Sequence, residues 1–122
     1  MNWALDKSRP ICPQLCEQIC VAVANGVFSA GEKLLSVREI ALAAGVNPNT
    51  VQKSLEDLER RGVIHSIRGS GWYVNENTEA AISEVNSLRK LKTKEYLAAM
   101  AQLGCAPEQI ISYLNECQGG NL

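Results

Sequence analysis

Apolar residues recur at helical spacing near the start of the chain. Leu15, Ile19 and Val23 lie four residues apart behind Pro10, and Asn25-Gly26 follows them. Proline is tolerated at the start of a helix and glycine is favoured just past its end, so this pattern predicts a first helix. The nine residues before Pro10 show little pattern and are expected to form a tail.

Capping residues predict two further helices. The run Ser36-Val37-Arg38-Glu39 fits the S-x-x-E capping box, and Gly45 would end the helix that this box begins. Asn47 is a favourable N-cap, and Pro48 takes the first helical position after it. A third helix is therefore expected from Pro48 to about Arg61.

Short extended segments surround these helices. Residues 27–35 are predicted to form a turn or a short strand. Residues 63–67 and 72–74 are rich in β-branched and aromatic side chains, and Arg68-Gly69-Ser70-Gly71 separates them. Glycines in so short a connection predict a tight β-hairpin. Three helices followed by a hairpin is the order of a winged helix-turn-helix.

The composition changes at residue 76, after which glycine and proline are absent until Gly104. Apolar residues then recur at helical spacing and predict a long helix, either straight or bent near Lys92-Thr93, followed by a short helix from Pro107. Residues 119–122 are expected to be a frayed end. We therefore expect a mostly α fold with a small β-hairpin: a winged helix-turn-helix over residues 1–75, with 1–9 as its tail, and two C-terminal helices over residues 76–122.

Composition and charge narrow the function classes. With 46% hydrophobic and 20% charged residues the chain is typical of a globular protein. It has neither an apolar run of about 18–20 residues nor a signal-peptide start, so we predict a cytoplasmic protein without membrane contact. The net charge of −1 excludes a bulk polycation. Residues 1–75 have eight basic and seven acidic groups, and residues 76–122 have four and six, a weak asymmetry.

The five cysteines lack the paired Cys-x-x-Cys spacing of a structural zinc site, so no metal and no cofactor is predicted. Cys12, Cys16 and Cys20 recur every four residues, which fits either small core residues of the first helix or a thiol sensor or soft-metal site. Core packing is favoured because Cys16 and Cys20 flank the apolar stripe. His65 is the one histidine and is expected on the surface or the wing. Without a nucleophile and base set or a nucleotide-binding motif, the sequence does not indicate an enzyme.

Polar side chains cluster where the third helix begins. Asparagine and glutamine amides at Asn47, Asn49 and Gln52 can pair with adenine, and Thr50 can contact a thymine methyl group. The same residues could serve only to start a helix, and Lys53 could be simply solvated. The order of elements favours contact with DNA.

An ordered series of motifs over residues 10–75 resembles the DNA-binding domain of the GntR family of bacterial transcription regulators. It includes AGEKLLSVRE at 30–39, GVNPNTV at 45–51, LEDLE at 55–59 and GSGWYV at 69–74. The NPNTV start and a tail of two helices resemble the YtrA-like subfamily, in which the tail is a dimerisation element. Leu35, Pro48 and Cys12 depart from the residues usual in the family.

The resemblance implies DNA contacts at Arg38, at residues 47–50, at Gln52 and at the wing residues 68–69. Side-chain chemistry and position extend this set by a few neighbours. The predicted DNA-contacting residues are Lys33, Ser36, Arg38, Asn47, Pro48, Asn49, Thr50, Gln52, Lys53, Arg68, Gly69 and Ser70.

The apolar face of the tail either packs on its own domain or is buried against a second subunit. Its apolar side chains exceed what a winged domain of roughly 65 residues can cover, which favours a homodimer. The predicted dimerisation residues are Ile82, Val85, Leu88, Leu91, Leu97, Met100, Leu103, Ile110, Ile111 and Leu114.

These features together predict a sequence-specific transcriptional regulator that binds double-stranded operator DNA. The resemblance implies a repressor, and twofold symmetry implies an inverted-repeat operator. The alternative is a winged-helix module for protein association that does not bind DNA. The sequence identifies neither the operator nor the regulated genes nor a small-molecule effector.

Overall fold

A computed structural model describes residues 1–120; Asn121 and Leu122, expected as part of the frayed end, lie outside them. Over the described residues the chain is mostly helical with one antiparallel hairpin, which confirms the predicted fold class. The elements are α1 (Ile11–Ala24), α2 (Val37–Ala44), α3 (Pro48–Arg60), β1 (Ile64–Ile67), β2 (Gly71–Val74), α4 (Glu79–Gln102) and α5 (Pro107–Gln118).

Contacts divide the chain into two compact units, Met1–Asn86 and the part from Ser87 onward. The division falls inside α4, and not at residue 76 where the composition changes. The first two turns of α4 belong to the first unit because Ala81 and Val85 are buried in its core. Helix α4 continues without interruption through Lys92 and Thr93.

The core of the first unit lies between α1, α3 and the hairpin. Leu15 and Ile19 of α1 and Leu55 and Leu58 of α3 are each at most 1% exposed. Removing one such leucine side chain from a core costs about 2–5 kcal/mol. Because the apolar stripe of α3 faces this core, its polar face lies toward solvent.

The helix starts form as their sequences predict. Ser36 Oγ accepts from Glu39 N at 3.1 Å while Glu39 Oε1 accepts from Ser36 N at 3.1 Å, a complete capping box. Asn47 Oδ1 accepts from Asn49 N at 2.8 Å, and Pro48 is the first residue of α3. Gly45 ends α2 with φ of 67°, a left-handed conformation that glycine adopts readily.

The hairpin pairs Ile64 with Val74 and Ile67 with Gly71. Residues 32–34 extend this small sheet along the free edge of β2. Leu34 N donates to Trp72 O, and Val74 N donates to the carbonyl of residue 32, each at 2.8 Å. The segment expected as a turn or short strand therefore joins the wing to α2.

The first nine residues differ from the expected tail. Trp3 and Leu5 pack against the core. Gln14 Oε1 accepts from Asp6 N at 2.7 Å, and Gln18 of the same helix bonds to the backbone of residue 4. Side-chain amides of α1 thus hold the first nine residues, which we call the N-terminal arm. Contacts of this kind leave no periodic signal in a sequence.

The cysteines of α1 occupy the core. Cys16 is 1% exposed and Cys20 is fully buried, and burial raises the pKa of each thiol to about 12. The Cys16 thiol donates to Ser54 O at 3.5 Å, and the Cys20 thiol donates to Glu84 Oε2 at 3.3 Å. This confirms the interpretation of Cys16 and Cys20 as core residues. Within residues 1–120 no group of three or more His, Cys, Asp or Glu could hold a metal ion.

Ser36→Ala removes the side-chain acceptor of the capping box at α2. We expect it to lower the free energy of unfolding in urea by about 1 kcal/mol, because one N–H of the first turn loses its partner. Ser83→Ala, at an exposed position within α4, is the matched control and should change stability by less than about 0.5 kcal/mol. Equal stability of the two variants would show that the box does not stabilise the helix.

The buried thiols should resist alkylation in the native protein. At mildly alkaline pH we expect iodoacetamide to modify the exposed Cys117 while Cys16 and Cys20 stay unmodified, because each is buried and its pKa is raised to about 12. Peptide mass spectrometry after timed quenching measures this, and denatured protein, in which every cysteine reacts, is the control. Native modification of Cys16 or Cys20 as fast as Cys117 would contradict the assignment.

Candidate nucleic-acid interface

The first turns of α3 present polar side chains to solvent. Asn47, Asn49, Gln52 and Lys53 are exposed, and Thr50 is half-buried. Pro48, also exposed, begins the helix without needing a partner for a backbone N–H. This surface therefore combines amide, hydroxyl and ammonium groups with the positive end of a helix dipole.

The start of α2 lies beside the start of α3. Arg38 and Pro48 line one open hollow, together with Leu42, which is 87% exposed. Ser36 and Arg38 both face solvent. The helix-turn-helix thus brings Arg38 close to the polar start of α3.

The wing contributes Arg68, Gly69 and Ser70, which form the exposed turn between β1 and β2. Ser70 Oγ and Tyr73 Oη lie 2.5 Å apart, which ties the tip to the strand behind it. Lys33 pairs with Tyr73 on the free edge of β2, and so lies at the base of the wing.

Lys33 also lies near α2. The pKa of Glu39 lies below its ordinary value. The largest cause is the hydrogen bond from the backbone N–H of Ser36, followed by the bond from the Ser36 side chain and by the positive charge of Lys33. Gly71 with φ of 138° passes under Lys33, and a Cβ at that position would lie 3.3 Å from Lys33 Cε. A side chain at Gly71 would therefore crowd Lys33 and strain the hairpin.

Ion pairing separates the basic residues of the first unit into two groups. Arg9, Arg60 and Arg61 pair with carboxylates, and Lys7 Nζ donates to Gly45 O at 2.5 Å. Among the ion pairs formed within residues 1–120, none involves a cation of the predicted interface. Those cations are Lys33, Arg38, Lys53 and Arg68.

Acidic groups near α3 are mostly engaged elsewhere. Asp57 pairs with Arg60 and Arg61, and Glu59 accepts from Ser66. Although the net charge of the chain is −1, the cations of the predicted interface have no carboxylate partner among the described ion pairs.

Three residues that support the predicted DNA-contacting surface were not singled out from the sequence. Lys7 reaches the turn between α2 and α3 from 38 residues away, a contact for which the sequence has no signal. Tyr73 supports the wing tip through its hydroxyl group. Glu56 accepts from Gln52 Nε2 at 3.1 Å, and its spacing of four residues was visible in the sequence.

His65, expected on the surface or the wing, lies in β1 with its Nδ1 2.6 Å from the side-chain oxygen of residue 75.

The predicted dimerisation residues divide by exposure. Val85 and Ile110 are 4% and 6% exposed in the single chain, so little of either side chain is left for a second subunit to bury, and the dimerisation set stays a prediction. For Val85 the reason is its place in the core of the first unit. Leu88 and Met100 are half-buried. The exposed ones, at 41–79%, are Ile82, Leu91, Leu97, Leu103, Ile111 and Leu114.

In the part of the chain that the structure describes, the helices are too short or too polar to cross a membrane.

Comparison with known proteins places the chain in a family. Residues 14–74 match the family model described as bacterial regulatory proteins, gntR family. The HTH-type transcriptional repressor YtrA of Bacillus subtilis is 34% identical over 110 residues, which cover 89% of this chain and 85% of that protein.

Solved structures agree with the sequence match. A GntR family transcriptional regulator from Listeria monocytogenes superposes with a TM-score of 0.82 at 35% identity, covering 92% of this chain and 98% of that one. The DNA-binding domain of AraR in complex with operator ORX1 superposes with a TM-score of 0.51 at 26% identity, over 61% of this chain and 84% of that one. The winged helix-turn-helix described above is thus shared with these regulators. The chain belongs to the GntR family of bacterial regulatory proteins and is a DNA-binding transcriptional regulator.

Proposed function

We propose that the protein is a sequence-specific repressor that binds an inverted-repeat operator as a homodimer in the bacterial cytoplasm. The observation that carries the DNA-binding mode is the set of cations without ion-pair partners around the start of α3. Phosphate contacts need positive groups that are free to exchange their counterions for DNA. The cations in question are Lys33, Arg38, Lys53 and Arg68.

In the proposed complex α3 is the recognition helix and enters the major groove with its first turns. Amide and hydroxyl groups at residues 47–52 contact base edges and so specify the DNA site, whereas phosphate contacts position the protein on the duplex. Arg38 meets the backbone beside them. The wing tip at residues 68–70 lies against an adjacent groove. The AraR domain, which shares the fold, is solved in complex with an operator, and this supports DNA as the partner of the proposed surface.

A second copy of the chain is the proposed partner of the exposed apolar side chains in the unit that begins at Ser87. Leu91, Leu97, Leu103, Ile111 and Leu114 are 45–79% exposed in a unit that begins only at Ser87. So many exposed large apolar side chains on one small unit mark an association surface. A twofold axis would place two recognition helices about 34 Å apart, one turn of DNA, or a multiple of that distance. Repression is proposed from the relative that is named a transcriptional repressor.

Arg38→Ala should weaken binding to duplex DNA by at least roughly tenfold and lower the salt dependence by about one counterion, because one phosphate contact is lost. Arg60→Ala removes the same charge from a side chain that pairs with Asp57, and is the matched control. It should change affinity by less than about twofold. Fluorescence anisotropy with duplex selected from a random pool, over a series of salt concentrations, measures both. Equal losses in the two variants would contradict the proposed position of DNA.

Leu97→Glu should convert a dimer into a monomer, because a carboxylate at this position cannot be buried against a second subunit without a large desolvation cost. Sedimentation equilibrium should give twice the chain mass of 13.3 kDa for the unaltered protein and the single mass for this variant. Leu42→Glu places the same change at an exposed leucine of α2 and should stay dimeric. A monomeric unaltered protein, or a dimeric Leu97→Glu variant, would overturn the proposed interface.

A further inference from the structure

The exposed side of the first half of α3 carries a polar interaction that capping and core packing do not require. Gln52 Nε2 donates to Glu56 Oε1 at 3.1 Å, and both side chains are exposed. Lys53 stands three residues before Glu56, a spacing that suits an ion pair, yet no ion pair joins the two. The carboxylate of Glu56 thus serves the amide of Gln52.

This bond fixes which way the amide of Gln52 points. A carboxylate can only accept hydrogen bonds, so the end of the amide that faces Glu56 must be the NH₂ group. The hydrogen donated to Glu56 leaves the carbonyl oxygen and one N–H of Gln52 uncommitted. An amide without such a partner can rotate and present either end outward.

The uncommitted groups of Gln52 form one acceptor beside one donor. Adenine presents N6–H as a donor beside N7 as an acceptor in the major groove, which is the complementary pattern. Guanine presents O6 and N7, both acceptors, and would need two donors from the protein. An amide whose second N–H is held by Glu56 cannot supply them in a side-on pair.

We infer that Glu56 is a positioning residue that orients Gln52 to select adenine over guanine at one position of each half-site. The inference rests on the proposed function, in which α3 enters the major groove. Glu56 itself touches no base, and it acts through the amide that it holds. Its negative charge lowers overall affinity for phosphates, and this cost accompanies the gain in selectivity.

Two substitutions test the orientation. Glu56→Gln replaces a group that can only accept with an amide that can accept from Gln52 or donate to it, whereas Glu56→Ala removes the partner, and both remove the negative charge. The protein would first be used, as the full chain, to select duplexes from a random pool. Competition titrations would then compare duplexes that differ only in one base pair, A·T or G·C, at each selected position.

The unaltered protein should prefer A·T at one position by roughly tenfold, the discrimination typical of a bidentate pair, and Glu56→Gln should show a smaller preference because its amide does not fix the end of Gln52 that faces it. Glu56→Ala should retain less than about twofold preference there, through recovered binding to guanine, while its preferences elsewhere stay unchanged. Gln52→Ala should lose the same preference, and adding Glu56→Ala to it should change nothing more, because the two residues act as a unit.

Each outcome decides a different claim. An A·T preference equal to that of the unaltered protein, in Glu56→Ala or in Glu56→Gln, would overturn the role of Glu56 while leaving DNA binding intact. Failure of the unaltered protein to enrich any duplex would instead overturn the proposed function. Because the Glu56 side chain is exposed, we expect both Glu56 variants to unfold at the same temperature as the unaltered protein. Matching midpoints would exclude a loss of fold as the cause of a changed base preference.

Discussion

The packing of α1 against α3 is the constraint on which the rest of the protein depends. Leu15 and Ile19 meet Leu55 and Leu58 in a core from which water is excluded. Once this stripe is buried, the rotation of α3 about its axis is set. Every polar residue on the other side of the helix is then presented to solvent in a fixed order. Sequence specificity, in this account, is a consequence of core packing.

Ion pairing explains how a chain of net charge −1 can bind a polyanion. Three acids of the first unit pair with arginines outside the predicted interface, and Asp57 does so with both Arg60 and Arg61. Arg61 also pairs with Glu84 at 3.0 Å and so fastens the end of α3 to the first turns of α4. Among the ion pairs of residues 1–120, these carboxylates therefore pair with arginines and leave the cations of the predicted interface without an ion-pair partner.

Local rules predicted the local structure well. Capping residues determined where α2 and α3 begin, because a backbone N–H at a helix start needs a nearby acceptor whatever the rest of the fold does. Rules of that kind could not predict contacts between distant residues. The arm held by Gln14, the reach of Lys7 to Gly45 and the burial of Val85 all depend on packing between segments far apart in sequence. The candidate interface was predicted residue by residue, whereas its pattern of ion pairing appeared only in three dimensions.

The start of α2, the start of α3 and the wing tip are proposed to bind duplex DNA together. An NMR titration of the ¹⁵N-labelled protein with a selected duplex tests this proposal most directly, because each backbone amide reports on its own surroundings. The account predicts that the largest shifts fall at residues 36–38, 47–53 and 68–70 and leave α5 unchanged. Shifts centred on α5, or spread evenly over the first unit, would contradict it.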